Sequence, residues 1–153
     1  MQTPEYKKIL NKGRKYCAYQ ERSQQEVRDK LYSWGLHRTE VEQALSELIS
    51  ENYLKEERFA EAFAGGRFRI KKWGRNKIRL ALQQKKVSEP LINSALKNIS
   101  DSDYKKALNE VIRMRSKEVK EKEPYKRKYK IASYAIGRGF EPELVWEILN
   151  DGE

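Results

Sequence analysis

The chain has 153 residues but only one cysteine, one histidine and four prolines. A single thiol, Cys17, excludes an internal disulfide and a cysteine-based metal site, and its setting in Tyr16-Cys17-Ala18-Tyr19 suits a buried, inert group. A single imidazole, His37, excludes a multi-histidine metal site, and its place after Leu36 fits a polar turn residue. No apolar run approaches a membrane span, and the opening Met1-Gln2-Thr3-Pro4-Glu5-Tyr6 has no apolar signal core. The expectation is a soluble, cytoplasmic chain with no membrane partner. Nucleotide-binding loops are missing as well: Gly65-Gly66-Arg67 leads into no Gly-Lys-Ser or Gly-Lys-Thr, and no dinucleotide-type glycine pattern occurs. No cofactor, metal or catalytic residue is therefore expected. A hydrolase built on carboxylates alone is the remaining enzymatic alternative, and Glu56-Glu57 are explained by the affinity of anions for a helix N-terminus. Alternating β-branched stretches are also absent, so no strand is expected.

What the sequence does contain is one apolar pattern three times. Val27, Leu31, Leu36, Val41 and Leu45 recur as Ile78, Leu82, Val87, Ile92 and Leu96, then as Ile131, Ala135, Phe140, Val145 and Leu149. Residues four apart share a helical face, and the longer steps across a break restart the phase, so each copy reads as helix, tight turn, helix. The fold class is all-α, with tandem three-helix, helix-turn-helix-like repeats stacked into an elongated, curved array. The boundaries read from sequence are an N-terminal helical segment over 1–20, repeats over 21–66 and 67–121, and a truncated third repeat over 122–153. One unit is too small to bury a good core, so neighbours are expected to stack.

Local signals place the helices. Thr3-Pro4 opens a leading helix that Gly13 interrupts before Tyr16. Ser23 with Glu26, and Thr39 with Glu42, read as capping boxes, and Gly35 closes the helix between them. A further helix starts near Glu56 with Phe59, Ala60 and Phe63 on its apolar side. Gly74 opens the second repeat, Ser88 caps its next helix, and another helix runs from about Asp101 through Ile112. The charge-dense stretch from Lys117 to Lys130 reads either as a flexible joint or as an exposed helix to about Glu121 with a bend near Pro124. Gly137 and Gly139 turn the chain before the last helix at Pro142.

Charge separates the repeats. The net charge is +10 and the pI about 9.6, while mean hydropathy is only -0.96. Polyanions are the default partners of such a chain, nucleic acid ahead of membrane. Between Glu21 and Ala62 there are ten acidic and six basic residues; between Arg67 and Lys86 there are nine basic and no acidic ones. The basic run is Arg67, Arg69, Lys71, Lys72, Arg75, Lys77, Arg79, Lys85 and Lys86, interleaved with Phe68 and Trp73. It suits a phosphate backbone held by cations, with the two aromatics either stacking on bases or lying in the core. A second set, Lys126, Arg127, Lys128, Lys130 and Arg138, is either another contact with the same ligand or ordinary surface.

Three ordered blocks carry a family resemblance over roughly residues 16 to 100. Glu21-Arg22-Ser23-Gln24-Gln25-Glu26-Val27-Arg28-Asp29-Lys30-Leu31 with Trp34-Gly35-Leu36 resembles the opening motif of the RecX regulatory proteins. Asn52 to Phe63 and Gly74-Arg75-Asn76-Lys77-Ile78 through Val87 are similar to two further blocks of that family. The chain departs from it with Lys85-Lys86, where a glycine is usual in the turn, and with Lys55, where an acid is usual. The resemblance implies a non-enzymatic regulator that lies along the groove of the RecA recombinase filament and restrains its ATPase, strand exchange and growth; the chain itself is expected to be a monomer. It would also touch single- or double-stranded DNA through the basic middle repeat. The alternatives are a stand-alone nucleic-acid-binding helical module without a recombinase partner, and a protein-only adaptor.

Overall fold

All four prolines stand in the first turn of a helix, where a missing amide costs no hydrogen bond. The computed structural model describes residues 2–151, which form nine helices and no strand. They are α1 (Pro4–Tyr19), α2 (Gln24–Ser33), α3 (Arg38–Ser50), α4 (Glu56–Lys71), α5 (Arg75–Gln84), α6 (Glu89–Lys97), α7 (Asp101–Glu118), α8 (Pro124–Gly137) and α9 (Pro142–Asn150). Fourteen of the fifteen repeated apolar positions are buried and Leu149 is half-buried, so the repeat encodes the core.

The helices pack in threes: α1 on α2 and α3, α4 on α5 and α6, and α8 on both α7 and α9. In each group the helix that packs against the repeated pair precedes it in the chain. Grouped this way, residues 101–150 hold three helices. The accessible surface is 9768 Å², against ~8,100 Å² for a compact monomer of this mass. That excess fits an extended array.

Several local expectations need correction. Gly13 does not break α1; it lies buried where an added Cβ would come within 3.2 Å of Leu48 Cδ1, so the glycine admits a close helix approach. Ser23 caps α2 by accepting the Glu26 amide at 3.0 Å, and the Glu26 carboxylate reaches back to accept from the Ser23 hydroxyl at 3.2 Å while also pairing with Lys85 at 3.2 Å. The cap of α3 is His37, not Thr39, because burial of Leu36 after the Gly35 turn starts the helix at once; Glu40 accepts the His37 amide at 3.0 Å. Glu42 instead pairs with Arg28 at 3.0 Å, and that hydrogen bond holds its carboxyl below the usual range. Between α7 and α8 the helix ends at Glu118 and Val119 turns extended. Cys17 is buried, which pushes its thiol up to about 11.

The three inter-helix turns are equivalent, with positive φ at Gly35 (102°), Lys86 (62°) and Gly139 (102°). A lysine in the left-handed region carries a Cβ clash that glycine lacks. Lys86→Gly is expected to stabilise the protein by ~1 kcal/mol, raising the melting temperature by about 2–4 °C. A differential-scanning measurement checks this.

The two joints between units differ. Units two and three share one apolar core, in which Phe68 stacks on Tyr104 at 5.9 Å and Tyr104 meets Phe140 at 5.2 Å. Their backbones also join, Gly74 N donating to the Arg138 carbonyl at 2.8 Å and Asn76 N to the Gly139 carbonyl at 2.9 Å. Unit one has a separate core around Val27, Leu31, Val41 and Leu48. Polar links tether it: Arg58 to Glu21 at 3.1 Å, Lys85 to Glu26 at 3.2 Å, and the Gln24 amide donating to Glu56 at 2.9 Å. Burial in this joint raises the Glu56 pKa against the pull of that amide. The expectation of stacked units therefore holds as a shared core only between units two and three.

Separate cores predict separate unfolding. Leu31→Ala should cost ~2–5 kcal/mol in the transition of unit one and leave the other in place, with Leu82→Ala doing the reverse. Urea titration followed by hydrogen exchange of each unit reads this directly; coincident shifts would show one cooperative body.

Candidate polyanion interface

The fourteen basic residues read from sequence divide by what their side chains touch. Some are fasteners. Arg75 lies 3.7 Å from the Tyr104 ring and pairs with Glu141 at 2.9 Å and Asp101 at 3.0 Å, while its backbone amide donates to the Tyr104 hydroxyl. That hydroxyl donates in turn to Glu141, and burial, reinforced by this bond, raises the Tyr104 pKa. Arg79 ties α5 to α6 through Glu89 at 2.8 Å and Asn93 at 2.9 Å. Arg127 caps the end of α7 by donating to the Val119 and Ser116 carbonyls. Lys130 pairs with Glu121 at 3.3 Å, and Arg138 donates to the Lys72 carbonyl at 3.3 Å. Lys128 is half-buried. Arg75 and Arg138 join units two and three, whereas Arg79, Arg127 and Lys130 brace contacts within one unit, roles that charge counting does not reveal.

Others remain outward. Arg69 is exposed with its guanidinium over Gly65, and Lys71, Lys86 and Lys126 are exposed without an ion pair among the described residues. Lys72 is half-buried, in the left-handed conformation that ends α4.

A third group forms a ladder of alternating cations and aromatic rings across α4 and α5. Lys85 Nζ stands 5.8 Å from the Phe63 ring, Arg67 lies 4.5 Å from Phe63 and 5.5 Å from Trp73, and Lys77 Nζ is 4.6 Å from Trp73. Phe63 and Arg67 are four apart on α4 and so share its face. Arg67 and Lys77 have no carboxylate partner among the described residues, and Arg67 Nε is buried without a hydrogen bond. Stacking against rings fixes a guanidinium plane while its edge N–H groups stay available to an oxyanion. Of the interleaved aromatics, Phe68 belongs to the core, and Trp73 packs against that core while its ring carries the ladder. Phe63 joins the site from the apolar side of α4, a place that only its four-residue spacing from Arg67 signals in the sequence.

Arg115, Ile70, Met114 and Tyr134 also lie beside sequence-selected cations. They line a cavity of about 360 Å³ with Lys71, Lys72 and Arg138, bringing both basic sets together. Nothing in the sequence couples Arg115 to Tyr134, since their contact arises from the packing of α7 on α8. Among the described residues no group of His, Cys, Asp and Glu is placed to hold a metal ion, and no helix is long and apolar enough to cross a membrane.

Fold and face together define a class: an all-helical tandem array of three-helix units with a cation-aromatic surface on its middle unit. Family models for the first, second and third three-helix domains of RecX match residues 10–48, 56–96 and 101–149, the same grouping as the helices. The chain is 31% identical over 145 residues to Regulatory protein RecX of Thermotoga petrophila, covering 94% of this chain and 84% of that one. It is 28% identical over 151 residues to Regulatory protein RecX of Prosthecochloris aestuarii, covering 99% and 97%. The crystal structure of RecX from Lactobacillus salivarius shares the fold, with a TM-score of 0.86 over 96% of each chain at 20% identity. The chain belongs to the RecX family of regulatory proteins.

Proposed function

We propose that this chain binds the RecA–DNA filament and restrains its ATPase, strand exchange and extension, acting as a cytoplasmic monomer. The observation that carries this reading is the ladder in the middle unit: cations held on rings, two of them lacking an internal acid, on an extended array. Such an array matches a repeating polymer, because successive units reach successive protomers while the ladder meets phosphate or carboxylate. Lys71, Lys86, Arg69 and Lys126 add long-range attraction around it. Regulation of this kind requires binding and no turnover.

The test is the single-stranded-DNA-dependent ATPase of the cognate RecA, titrated with this protein at fixed salt and excess DNA. Inhibition at well below one molecule per protomer is the expected result. The ladder would equally serve a stand-alone nucleic-acid module. In that case ATPase is unaffected at excess DNA, and naked DNA binds with a log-log salt slope of about -4 for roughly five neutralised phosphates.

A further inference from the structure

Ile70, in the last turn of α4, is 82% exposed, unusual for a large aliphatic side chain flanked by structured helix. It is not isolated. Met114 of α7 and Tyr134 of α8, both exposed, line the same cavity, and Lys71, Arg115 and Arg138 surround them. The Arg115 guanidinium lies 4.4 Å from the Tyr134 ring and that of Arg138 lies 5.9 Å away. At Arg115, Glu118 and Tyr134 the cavity runs into a second, open hollow of about 710 Å³ that reaches Tyr129 and Lys130. The two form a groove with an aliphatic and aromatic floor and a basic rim.

We propose that this groove docks an acidic peptide segment of a partner protein, anchored by an apolar side chain over Ile70 and Met114. Charge complementarity selects the acidic character: the six Lys and Arg side chains lining the two hollows outnumber Glu110, Glu118 and Glu121, of which Glu118 is already paired with Arg115 at 3.0 Å and Glu121 with Lys130 at 3.3 Å. Those glutamates favour peptide over nucleic acid. A phosphate backbone brings closely spaced charges that cannot avoid an acid in the groove, whereas a peptide sets its carboxylates beside the cations and turns other side chains toward the glutamates. Ile70 and Met114 fit an aliphatic or aromatic side chain removed from water. The groove adjoins the ladder, since α4 gives Phe63 and Arg67 to one and Ile70 and Lys71 to the other. A polyanion and a protein segment can therefore be read side by side.

The inference does not require the partner to be a recombinase. Its test uses the full chain and fluorescence anisotropy with three probes: a short Asp/Glu peptide around a Leu-Phe pair, the same peptide with Ser-Ser in that place, and an oligothymidylate of similar length. The variants are Ile70→Ser and Lys71→Glu, both on exposed positions, with exposed Ile49→Ser of unit one as control. The expected result is that the Leu-Phe peptide binds about tenfold tighter than the Ser-Ser peptide. Ile70→Ser should remove that preference, Lys71→Glu should weaken both peptides, and Ile49→Ser should change neither. Oligothymidylate binding should be unmoved by Ile70→Ser. The proposal is overturned by absence of peptide binding, by equal binding of the two peptides, or by oligothymidylate losing affinity with Ile70→Ser. The last outcome makes the groove a nucleic-acid surface. ATPase inhibition that persists in Ile70→Ser while peptide binding is lost separates this site from the filament reading.

Discussion

Gly74→Ala should separate the second and third units. A Cβ at this position would fall closer than 3.0 Å to the carbonyl of Gly139 and the amide of Phe140, and both obstacles are backbone. Neither can rotate away as a side-chain tip would. Relief requires the α4–α5 turn to withdraw from the α8–α9 turn, which breaks the bonds from Gly74 N to Arg138 and from Asn76 N to Gly139. Overpacking costs ~1–3 kcal/mol and each lost hydrogen bond about 1 kcal/mol more. Arg75 and Glu141 flank the same contact, so their ion pair and the Tyr104 bond to Glu141 loosen with it. Thermal unfolding should show the transition of units two and three lowered by roughly 10 °C, with unit one unmoved because its core is separate. Hydrogen exchange should rise first at the start of α5 and in the α8–α9 turn. A variant with unchanged melting would show that the two turns do not need their close approach.

Charge reversal at the ladder should act on binding and leave folding alone. Arg67→Glu with Lys77→Glu replaces the two ladder cations that no internal acid neutralises, and both side chains are only half-buried. Inhibition of the recombinase ATPase is expected to fall by more than tenfold, and the log-log salt slope of DNA binding to drop by about 1–2. Circular dichroism and melting should match the parent. Arg75→Ala provides the contrast. It lies in the same basic run but acts as a clasp to Glu141 and Asp101, so it should lower stability by about 1–3 kcal/mol and affect binding only through folding. Persistent inhibition in the ladder double variant would remove the ladder from the interface.

The helices were legible because their signals are local. Apolar spacing marks each buried face, prolines mark first turns, and the second residue beyond the middle helix of each unit takes positive φ. The departure at Lys86 could be recognised by pattern alone, since two glycines hold the equivalent turns. Where local signals misled, a tertiary demand had overridden them. Gly13 reads as a helix breaker until Leu48 is seen against it, and Thr39 reads as a cap until burial of Leu36 sets the helix start two residues earlier.

The site was legible as charge and not as arrangement. Nine cations without an acid identify the middle unit, because net charge survives any folding of the side chains. Their division into clasps, ladder and exposed residues depends on partners far along the chain: Asp101 and Glu141 for Arg75, and Glu26 for Lys85. No spacing rule connects such pairs, since each meets only when units pack.

By itself, then, the sequence determined the all-helical repeat, the positions of its core and the basic character of its middle unit, all properties of residues within one or two helical turns. Tertiary structure alone decided that units two and three fuse while unit one hangs on polar tethers, and which cations face outward. Those outcomes depend on contacts between distant segments, where the competition between an internal acid and an external ligand for each cation is settled by geometry.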